Sequence, residues 1–282
     1  MEVIKGISRM REFVREQQMA GKRIGLIPTM GYLHAGHLSL VREALSTCQV
    51  AVMSIFVNPL QFGAGEDLDA YPRDLTRDCE LAEKAGVAAI FAPAVAEMYP
   101  GGGYFSYVDV ENITEGLCGG ARPGHFRGVT TVVTKLFNIV QPEVAVFGQK
   151  DAQQAAVIQR MVRDLNMPLQ IVVAPIVREA DGLALSSRNV YLNPDEREAA
   201  LVLSRSLKMV QEMVANGERN AGVLRKTIEN QINKEPLARI DYIEIVGSED
   251  LKPVEILKGQ VLIALAVYIG KTRLIDNQIV EG

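Results

Sequence analysis

Two histidines three residues apart stand out among the residues able to do chemistry, because the chain has only three histidines. His34 and His37 lie in the segment PTMGYLHAGH, between a short apolar run and a helical pattern that begins near Leu38. A helix start already favours anions through its backbone N–H groups and its dipole, so two imidazoles there predict a phosphate-binding site. Chance proximity is the alternative. A metal pair is disfavoured, because the glutamate of an HExxH motif is missing.

A lysine and an aspartate follow another apolar run in a similar arrangement. In FGQKDAQQ, which spans 147–154, Gly148 permits a turn and Lys150 comes directly after a predicted strand end. A lysine in that position can bind phosphate as a point charge. Asp151 is expected either to cap the next helix or to hold a ribose hydroxyl.

Three further polar segments are candidates, each with an ordinary surface loop as its alternative. LSSRN at 185–189 offers two hydroxyls and a guanidinium, which could bind pyrophosphate as a leaving group. NPLQF at 58–62 offers two amides, which can bind a hydroxyl or a carboxylate, and RPGHFRG at 122–128 offers basic side chains for an anion. The sequence has no P-loop, no GxGxxG after a strand and no GxSxG, so those three kinds of site are not predicted.

Alternating apolar runs and helical patterns supply the elements that would position these segments. Strands are predicted over 23–28, 50–57, 87–92, 144–147 and 169–174, and helices over 4–19, 38–45, 75–85, 130–140 and 152–165. Continuous apolar strands between helices indicate a parallel sheet that is covered on both faces. The polar segments then fall at strand ends, where open parallel sheets bind ligands. We expect an α/β domain with this parallel sheet over residues 1–175.

The pattern changes after residue 176. Two long helical patterns at 194–215 and 220–233 precede apolar runs at 240–246 and 261–269. This order predicts a second, smaller α+β domain over residues 176–282.

Composition and charge exclude several classes of protein. The 282 residues are 48% apolar and 23% charged, as in ordinary folded proteins, and the net charge of −4 offers no basic field for a nucleic acid. The longest apolar run, nine residues at 261–269, is too short to cross a membrane as a helix. An odd number of cysteines without CxxC spacing and a charged N-terminal segment predict a cytoplasmic protein.

Several segments, in the same order, resemble the pantoate–β-alanine ligase family over essentially the whole chain. They are PTMGYLHAGH, NPLQF, YPRD, GHFRGV, FGQKDAQQ, READGLALSSRN and GKTRLIDN. The resemblance implies a Rossmann-like, adenylyl-transferring domain of the HxGH nucleotidyltransferase superfamily, a smaller C-terminal lid domain, Mg-ATP and a homodimer. It also implies two steps: pantoate attacks the α-phosphorus of ATP to give pantoyl adenylate and pyrophosphate, and the amine of β-alanine then displaces AMP.

The same resemblance assigns catalysis and ATP binding to the matched motifs. It makes His37 the proton donor and His34 its phosphate-binding companion, with Lys150 and Arg188 as further charges. The implied nucleotide-binding set is Met30, Gly31, Tyr32, Leu33, His34, Ala35, Gly36, His37, Gly148, Gln149, Lys150, Asp151, Val177, Leu185, Ser186, Ser187 and Arg188. Leu185 stands where the family often has methionine, and we expect little effect from this difference.

The implied substrate contacts involve amides. Gln61 and Gln154 would bind pantoate, Gln61 would also contact β-alanine, and Asn58 is a further substrate-binding candidate. Asp78 is the candidate magnesium ligand.

Two other functions stay open from the sequence. One alternative is an enzyme that transfers AMP to a phosphate acceptor. The other is a protein that binds a nucleotide without catalysis. The amides of Gln61 and Gln154 favour a ligand with hydroxyl and carboxylate groups over a phosphate acceptor. Release of pyrophosphate from ATP and pantoate would exclude the non-catalytic alternative.

Overall fold

A computed structural model describes residues 1–63, 65–102 and 104–282. The strands are β1 (Glu2–Ile4), β2 (Ile24–Thr29), β3 (Val50–Ile55), β4 (Ala89–Phe91), β5 (Val144–Gly148), β6 (Gln170–Ala174), β7 (Ala238–Gly247), β8 (Gln260–Ile269) and β9 (Thr272–Glu281). The helices are α1 (Ile7–Met19), α2 (Ala35–Thr47), α3 (Leu75–Lys84), α4 (Val95–Met98), α5 (Leu117–Ala121), α6 (His125–Val140), α7 (Ala152–Asp164), α8 (Pro194–Ala199), α9 (Leu201–Ala215) and α10 (Ala221–Ile232). No helix in these described ranges is long and apolar enough to cross a membrane.

Strands β1 to β6 form one parallel sheet in the order β1-β4-β3-β2-β5-β6. Strand β2 pairs with β3 on one side and with β5 on the other, so the strand order reverses beside β2. Such a reversal is where open α/β sheets bind ligands, outside the carboxyl ends of the strands. The predicted Rossmann-like fold class is confirmed, and the polar segments after β2, β3 and β5 begin at this edge.

Apolar side chains explain why these strands lie at the centre of the sheet. The residues of β3 are buried from Val50 to Ser54, as a strand covered on both faces requires. A Cβ atom at Gly25 of β2 would lie 2.9 Å from the Cβ of Ala44, so the glycine lets α2 pack close to the strand. This close packing fixes where α2 begins relative to the end of β2.

Strands β7, β8 and β9 form a separate antiparallel sheet in that order. Residues of α9 and α10, among them Leu203 and Leu224, share a buried cluster with Ile263 and Leu265 of β8. A second cluster joins Leu262 of the same strand to residues that include Leu117 and Ala152. The smaller α+β part of the predicted fold is therefore confirmed.

The chain divides into two compact units, and their boundaries are not contiguous in sequence. The first unit is Met1–Glu111, Arg122–Gly148 and Val157–Pro175, and the second is Asn112–Ala121, Gln149–Ala156 and Ile176–Gly282. One division falls between Pro175 and Ile176, and residues 112–121 and 149–156 belong with the second unit; the two predicted domains, 1–175 and 176–282, stay a prediction. Packing on β8 explains this, because local sequence does not reveal which sheet a short segment covers.

Two of the differences from the sequence-based expectation concern strands at the ends of the chain. The predicted helix over 4–19 begins only at Ile7, because residues 2–4 pair with β4 as a parallel edge strand. Strand β9 was not predicted, since Asp276 and Asn277 interrupt its apolar pattern. Both side chains are 3% exposed, so their polarity reflects buried contacts within the sheet.

Candidate active site

The loop that follows β2 has a strained backbone that glycine makes possible. Gly31 has φ of 88° and Tyr32 has φ of 51°, which places two consecutive residues in the left-handed region. A Cβ atom at Gly31 would lie 2.9 Å from both Asp78 Oδ2 and Ile55 Cγ2. Thr29 Oγ1 accepts a hydrogen bond from the Gly31 N–H at 3.1 Å and so secures the loop to the end of β2.

Asp78 holds the same loop from α3. Its Oδ2 accepts the N–H of Tyr32 and its Oδ1 accepts the N–H of Leu33, each at 2.7 Å. Its side chain is 1% exposed, and this burial raises the pKa of the carboxyl, although the two N–H bonds partly offset the effect. Asp78 therefore supports the loop. Magnesium ligation by Asp78 stays a prediction, and a buried carboxylate with both oxygens engaged fits that role poorly.

The two histidines of the loop cap α2 reciprocally. His34 is the N-cap residue, its Nδ1 accepts the N–H of Gly36 at 3.2 Å, and Nδ1 of His37 accepts the N–H of His34 at 3.3 Å. The ring centroids lie 4.0 Å apart. Because each Nδ1 accepts, a neutral ring carries its hydrogen on Nε2. The pair thus presents two imidazole N–H donors at a helix start, which suits phosphate oxygens.

Gln61 ends the short 3₁₀ turn Pro59–Gln61 that follows β3. Its Oε1 accepts a hydrogen bond from Asn58 Nδ2 at 3.2 Å, and its Nε2 lies 3.0 Å from Sδ of Met30. A thioether is a weak acceptor, so a carboxylate or a hydroxyl of a ligand can replace it as the acceptor of the amide N–H. The residue is 8% exposed, which holds this donor in a partly desolvated place.

Asn58 lies behind Gln61 and is 1% exposed. Its Nδ2 also donates to the carbonyl of Gly128 at 3.1 Å, and its Oδ1 accepts from the hydroxyl of Tyr99 at 2.7 Å. A Cβ atom at Gly128 would lie 2.2 Å from the carbonyl oxygen of Leu60, so only glycine lets α6 approach the turn. These contacts make Asn58 a support for Gln61, and its direct contact with substrate stays a prediction.

The basic segment before α6 is already paired with a carboxylate of the chain. Arg122 Nε donates to Glu66 Oε1 at 2.8 Å, and this interaction lowers the pKa of Glu66. Nδ1 of His125 lies 2.8 Å from the carbonyl oxygen of Gln61. The segment was predicted to hold an anion, and the anion it holds here is Glu66.

In the second unit, the short turn Gln149–Asp151 depends on Asn277 of β9. Asn277 Nδ2 donates to the carbonyl oxygens of Gln149 and Lys150, both at 2.9 Å, and its Oδ1 accepts from Gln149 Nε2 at 3.2 Å. Lys150 is 21% exposed, with Nζ 3.8 Å from Asp151 Oδ1. The sequence assigned no role to Asn277. The available signal was a polar Asp-Asn pair between two short apolar runs.

Of two neighbouring glutamines on α7, one is structural and the other is half-buried. Gln153 Oε1 accepts the N–H groups of Cys118 and Gly119, and its Nε2 donates to the carbonyls of Ile113 and Gly116. All its polar atoms are thereby engaged. Gln154, the predicted ligand of pantoate, is the neighbour with partial exposure.

The segment with Leu185 to Arg188 is held in a hairpin-like arrangement. The N–H of Leu185 donates to the carbonyl of Val177 at 3.0 Å, and Oγ of Ser186 accepts the N–H of Arg188 at 3.3 Å. The latter bond begins the 3₁₀ turn Ser187–Tyr191.

An ion pair that the sequence analysis did not assign holds the same segment. Arg178 binds Asp276 through two bonds of 2.6 and 2.9 Å and also donates to the carbonyl of Gly182. Asp276 precedes Asn277, so one pair of buried polar residues on β9 contacts both the turn Gln149–Asp151 and, through Arg178, the hairpin-like arrangement that contains Leu185.

Nothing in the described ranges forms a group of three or more His, Cys, Asp and Glu side chains able to hold a metal ion. Magnesium binding by side chains of the protein therefore stays a prediction.

Known proteins resemble the chain over its full length. The sequence profile described as pantoate-beta-alanine ligase matches residues 2–279. A protein of Heliobacterium modesticaldum named pantothenate synthetase is 63% identical over 281 residues, covering 100% of both chains, and one of Acetivibrio thermocellus with the same name is 60% identical.

Solved structures agree with this. The crystal structure of pantothenate synthetase from Thermus thermophilus has a TM-score of 0.95 at 45% identity and covers 100% of both chains. The pantoate-beta-alanine ligase of Francisella tularensis, complexed with beta-gamma ATP and beta-alanine, has a TM-score of 0.79 at 33% identity, covering 99% of this chain and 97% of that one.

Proposed function

The chain belongs to the pantoate–β-alanine ligase family, and from this premise we propose that it joins pantoate to β-alanine with the use of ATP. The family match over residues 2–279 carries the proposal. The ligase of Francisella tularensis, complexed with beta-gamma ATP and beta-alanine, supports the same substrates. We further propose a homodimer in the cytoplasm, as the family resemblance implies.

The first step activates the carboxylate of pantoate. A carboxylate oxygen bonds to the α-phosphorus of ATP while the bond from that phosphorus to the bridging oxygen breaks, and pyrophosphate leaves. Such a step needs positioning and charge stabilisation. The Nε2–H groups of His34 and His37 would donate to phosphate oxygens, and Lys150 and Arg188 would offset the charge of the phosphates. Magnesium would arrive with ATP and offset part of the triphosphate charge.

The second step forms the amide. The amine of β-alanine attacks the acyl carbon of pantoyl adenylate, the bond to the AMP oxygen breaks, and the amine loses a proton. The adenylate must be protected from water until then, which is the role we propose for the second unit as a lid.

Gln61 would bind pantoate through its amide, because the partner of its Nε2 donor among the described residues is the weak acceptor Met30 Sδ. Replacement of Gln61 with alanine should raise the KM for pantoate about tenfold, since a lost polar partner costs about 1 to 3 kcal/mol. The KM for ATP should stay within about twofold. Steady-state kinetics with each substrate varied in turn checks this, and an unchanged KM for pantoate would contradict the role of Gln61.

Positional isotope exchange tests the order of the two steps. ATP with ¹⁸O in the bridge between the α- and β-phosphorus is incubated with the enzyme, with and without each small substrate. We expect the label to scramble when pantoate is present and β-alanine is absent. Scrambling that requires β-alanine, or none at all, would contradict the adenylate. Scrambling with a phosphate acceptor in place of pantoate would support AMP transfer instead.

A further inference from the structure

His125 is the third histidine of the chain, and the proposed reaction uses only the other two. Its ring lies at the start of α6 in the first unit, with Nδ1 2.8 Å from the carbonyl oxygen of Gln61. Its Nε2 lies 3.0 Å from Nη1 of Arg122. Arg122 reaches the same carbonyl through Nη2 at 3.3 Å and is itself held by two bonds to Glu66.

These contacts determine which nitrogen carries the hydrogen. A guanidinium has donors and no acceptor, so Nε2 of His125 must accept from Arg122. The carbonyl of Gln61 has only acceptors, so Nδ1 must donate to it. The neutral ring with its hydrogen on Nδ1 is the form that satisfies both contacts. A second proton would place an N–H on Nε2 against an N–H of Arg122.

The backbone carbonyl is the part of Gln61 that His125 and Arg122 hold. Asn58 holds Oε1, and Gly128 closes the space beside the backbone N–H, where a Cβ atom would lie 2.7 Å from the nitrogen. The hydrogen bonds that His125 and Arg122 donate to the carbonyl complete the contacts that hold the turn of Gln61. A shift of the carbonyl would rotate the short turn and carry the amide away from its place.

We propose that His125, in its neutral Nδ1–H form, is a positioning residue that fixes the turn of Gln61 and thereby the affinity for pantoate. The inference rests on the proposed function for the identity of the ligand. Its geometric part, the chain from Glu66 through Arg122 and His125 to Gln61, stands on the contacts alone. Arg122 and Glu66 are charged groups beside the ring.

One consequence is a dependence of pantoate binding on pH. As the pH falls and His125 gains a second proton, the contact with Arg122 is lost and the turn of Gln61 loosens. The KM for pantoate should therefore rise in acid, by about fivefold if one hydrogen bond is lost. The variant His125→Asn, measured over the same pH range, separates this effect from those of other groups.

Two variants separate the hydrogen bond from the bulk of the ring. His125→Asn keeps an N–H donor near the position of Nδ1 and cannot gain a proton, whereas His125→Phe keeps an aromatic ring and removes the donor. At pH 7.5 we expect His125→Asn to keep the KM for pantoate within about threefold and His125→Phe to raise it about five- to tenfold. The KM for ATP should not change in either, and His125→Asn should lose the rise of the pantoate KM in acid. Equal effects of both variants, or no effect of His125→Phe, would overturn the proposal.

Nitrogen-15 NMR of the imidazole rings tests the geometric part without any substrate. With three histidines in the chain, single replacements assign every signal. We expect His125 alone in the Nδ1–H form, with the other two in the Nε2–H form. An Nε2–H form of His125 would overturn the proposal. If the wild-type protein makes no pantothenate, the proposed function fails, and the NMR result still decides the contact.

Discussion

Two of the segments predicted to bind phosphate, one in each unit, are supported by opposite chemistry. In the first unit, the carboxylate of Asp78 accepts two backbone N–H groups, those of Tyr32 and Leu33. In the second unit, the amide of Asn277 donates to two backbone carbonyls, those of Gln149 and Lys150. Both supporting side chains are almost fully buried. One support is a charged acceptor and the other a neutral donor.

The difference indicates how each segment can meet an anion. In the loop after β2, Asp78 engages two backbone donors, and the imidazoles are the donors that we propose for a phosphate. In the turn Gln149–Asp151, the amide of Asn277 offsets two carbonyl dipoles that would otherwise repel an anion. We propose that the side chain of Lys150 then supplies the charge. Removing a ligand-contacting side chain and removing its support should therefore have separable effects.

The largest effect is expected from the side chain that we propose to contact the reacting phosphates. His37→Ala should lower the rate of adenylate formation by about 10²- to 10⁴-fold, the range for a positioned acid or charge donor. The rate of pyrophosphate release with ATP and pantoate measures it. Thermal melting should change little, and activity within a few-fold of the wild type would show that the histidine takes no part.

Loss of the charged support should act mainly on stability. Asp78→Asn places an amide NH₂ against a backbone N–H, so we expect the free energy of unfolding to fall by about 2 to 4 kcal/mol. Asp74→Asn is the matched control: Asp74 caps the same helix from an exposed place and accepts the N–H of Arg77. Asparagine also caps well, so this change should cost less than about 0.5 kcal/mol. Urea denaturation of both variants makes the comparison, and equal losses would contradict a special role of Asp78.

The ligand-contacting side chain of the second segment should have the next effect. Lys150→Ala should weaken transition-state stabilisation by about 1.5 to 3 kcal/mol, because it removes a charge-assisted contact. Lys150→Arg should restore only part of the activity, since a planar fork does not reproduce a point charge. The ratio kcat/KM for ATP measures both. Full activity of Lys150→Ala would contradict the proposal that Lys150 binds phosphate.

The neutral support of the second segment should give the smallest effect. Asn277→Ala leaves the carbonyls of Gln149 and Lys150 without this donor, at a cost of about 1 to 2 kcal/mol in the free energy of unfolding. Since the turn also loosens, the KM for ATP should rise a few-fold and kcat should fall less. Denaturation and kinetics on one preparation check this. If Asn277→Ala lost more stability than Asp78→Asn, the neutral support would be the stronger of the two, contrary to this prediction.

A large part of the fold could be predicted from the sequence, because the periodicity of apolar residues is a local property of the chain. Continuous apolar runs between helical patterns predicted the parallel sheet, and the placement of polar segments at strand ends located His34, Gln61 and Lys150 correctly at the ends of β2, β3 and β5. Strand β9 was not predicted, because such a prediction depends on this local periodicity. The polar residues Asp276 and Asn277 break its local pattern, although they are buried in the structure.

What the sequence determined by itself was therefore most of the order of elements and the family, and it predicted which side chains take part in the chemistry. Only the tertiary structure decided what holds those side chains. Asp78 lies 46 residues from Tyr32, His125 lies 64 residues from Gln61, and Asn277 lies 128 residues from Gln149. Such a contact depends on which strands are neighbours and on how deeply a polar group is buried, because a desolvated donor or acceptor must find a partner wherever the fold places one. Spacing along the chain does not contain that information.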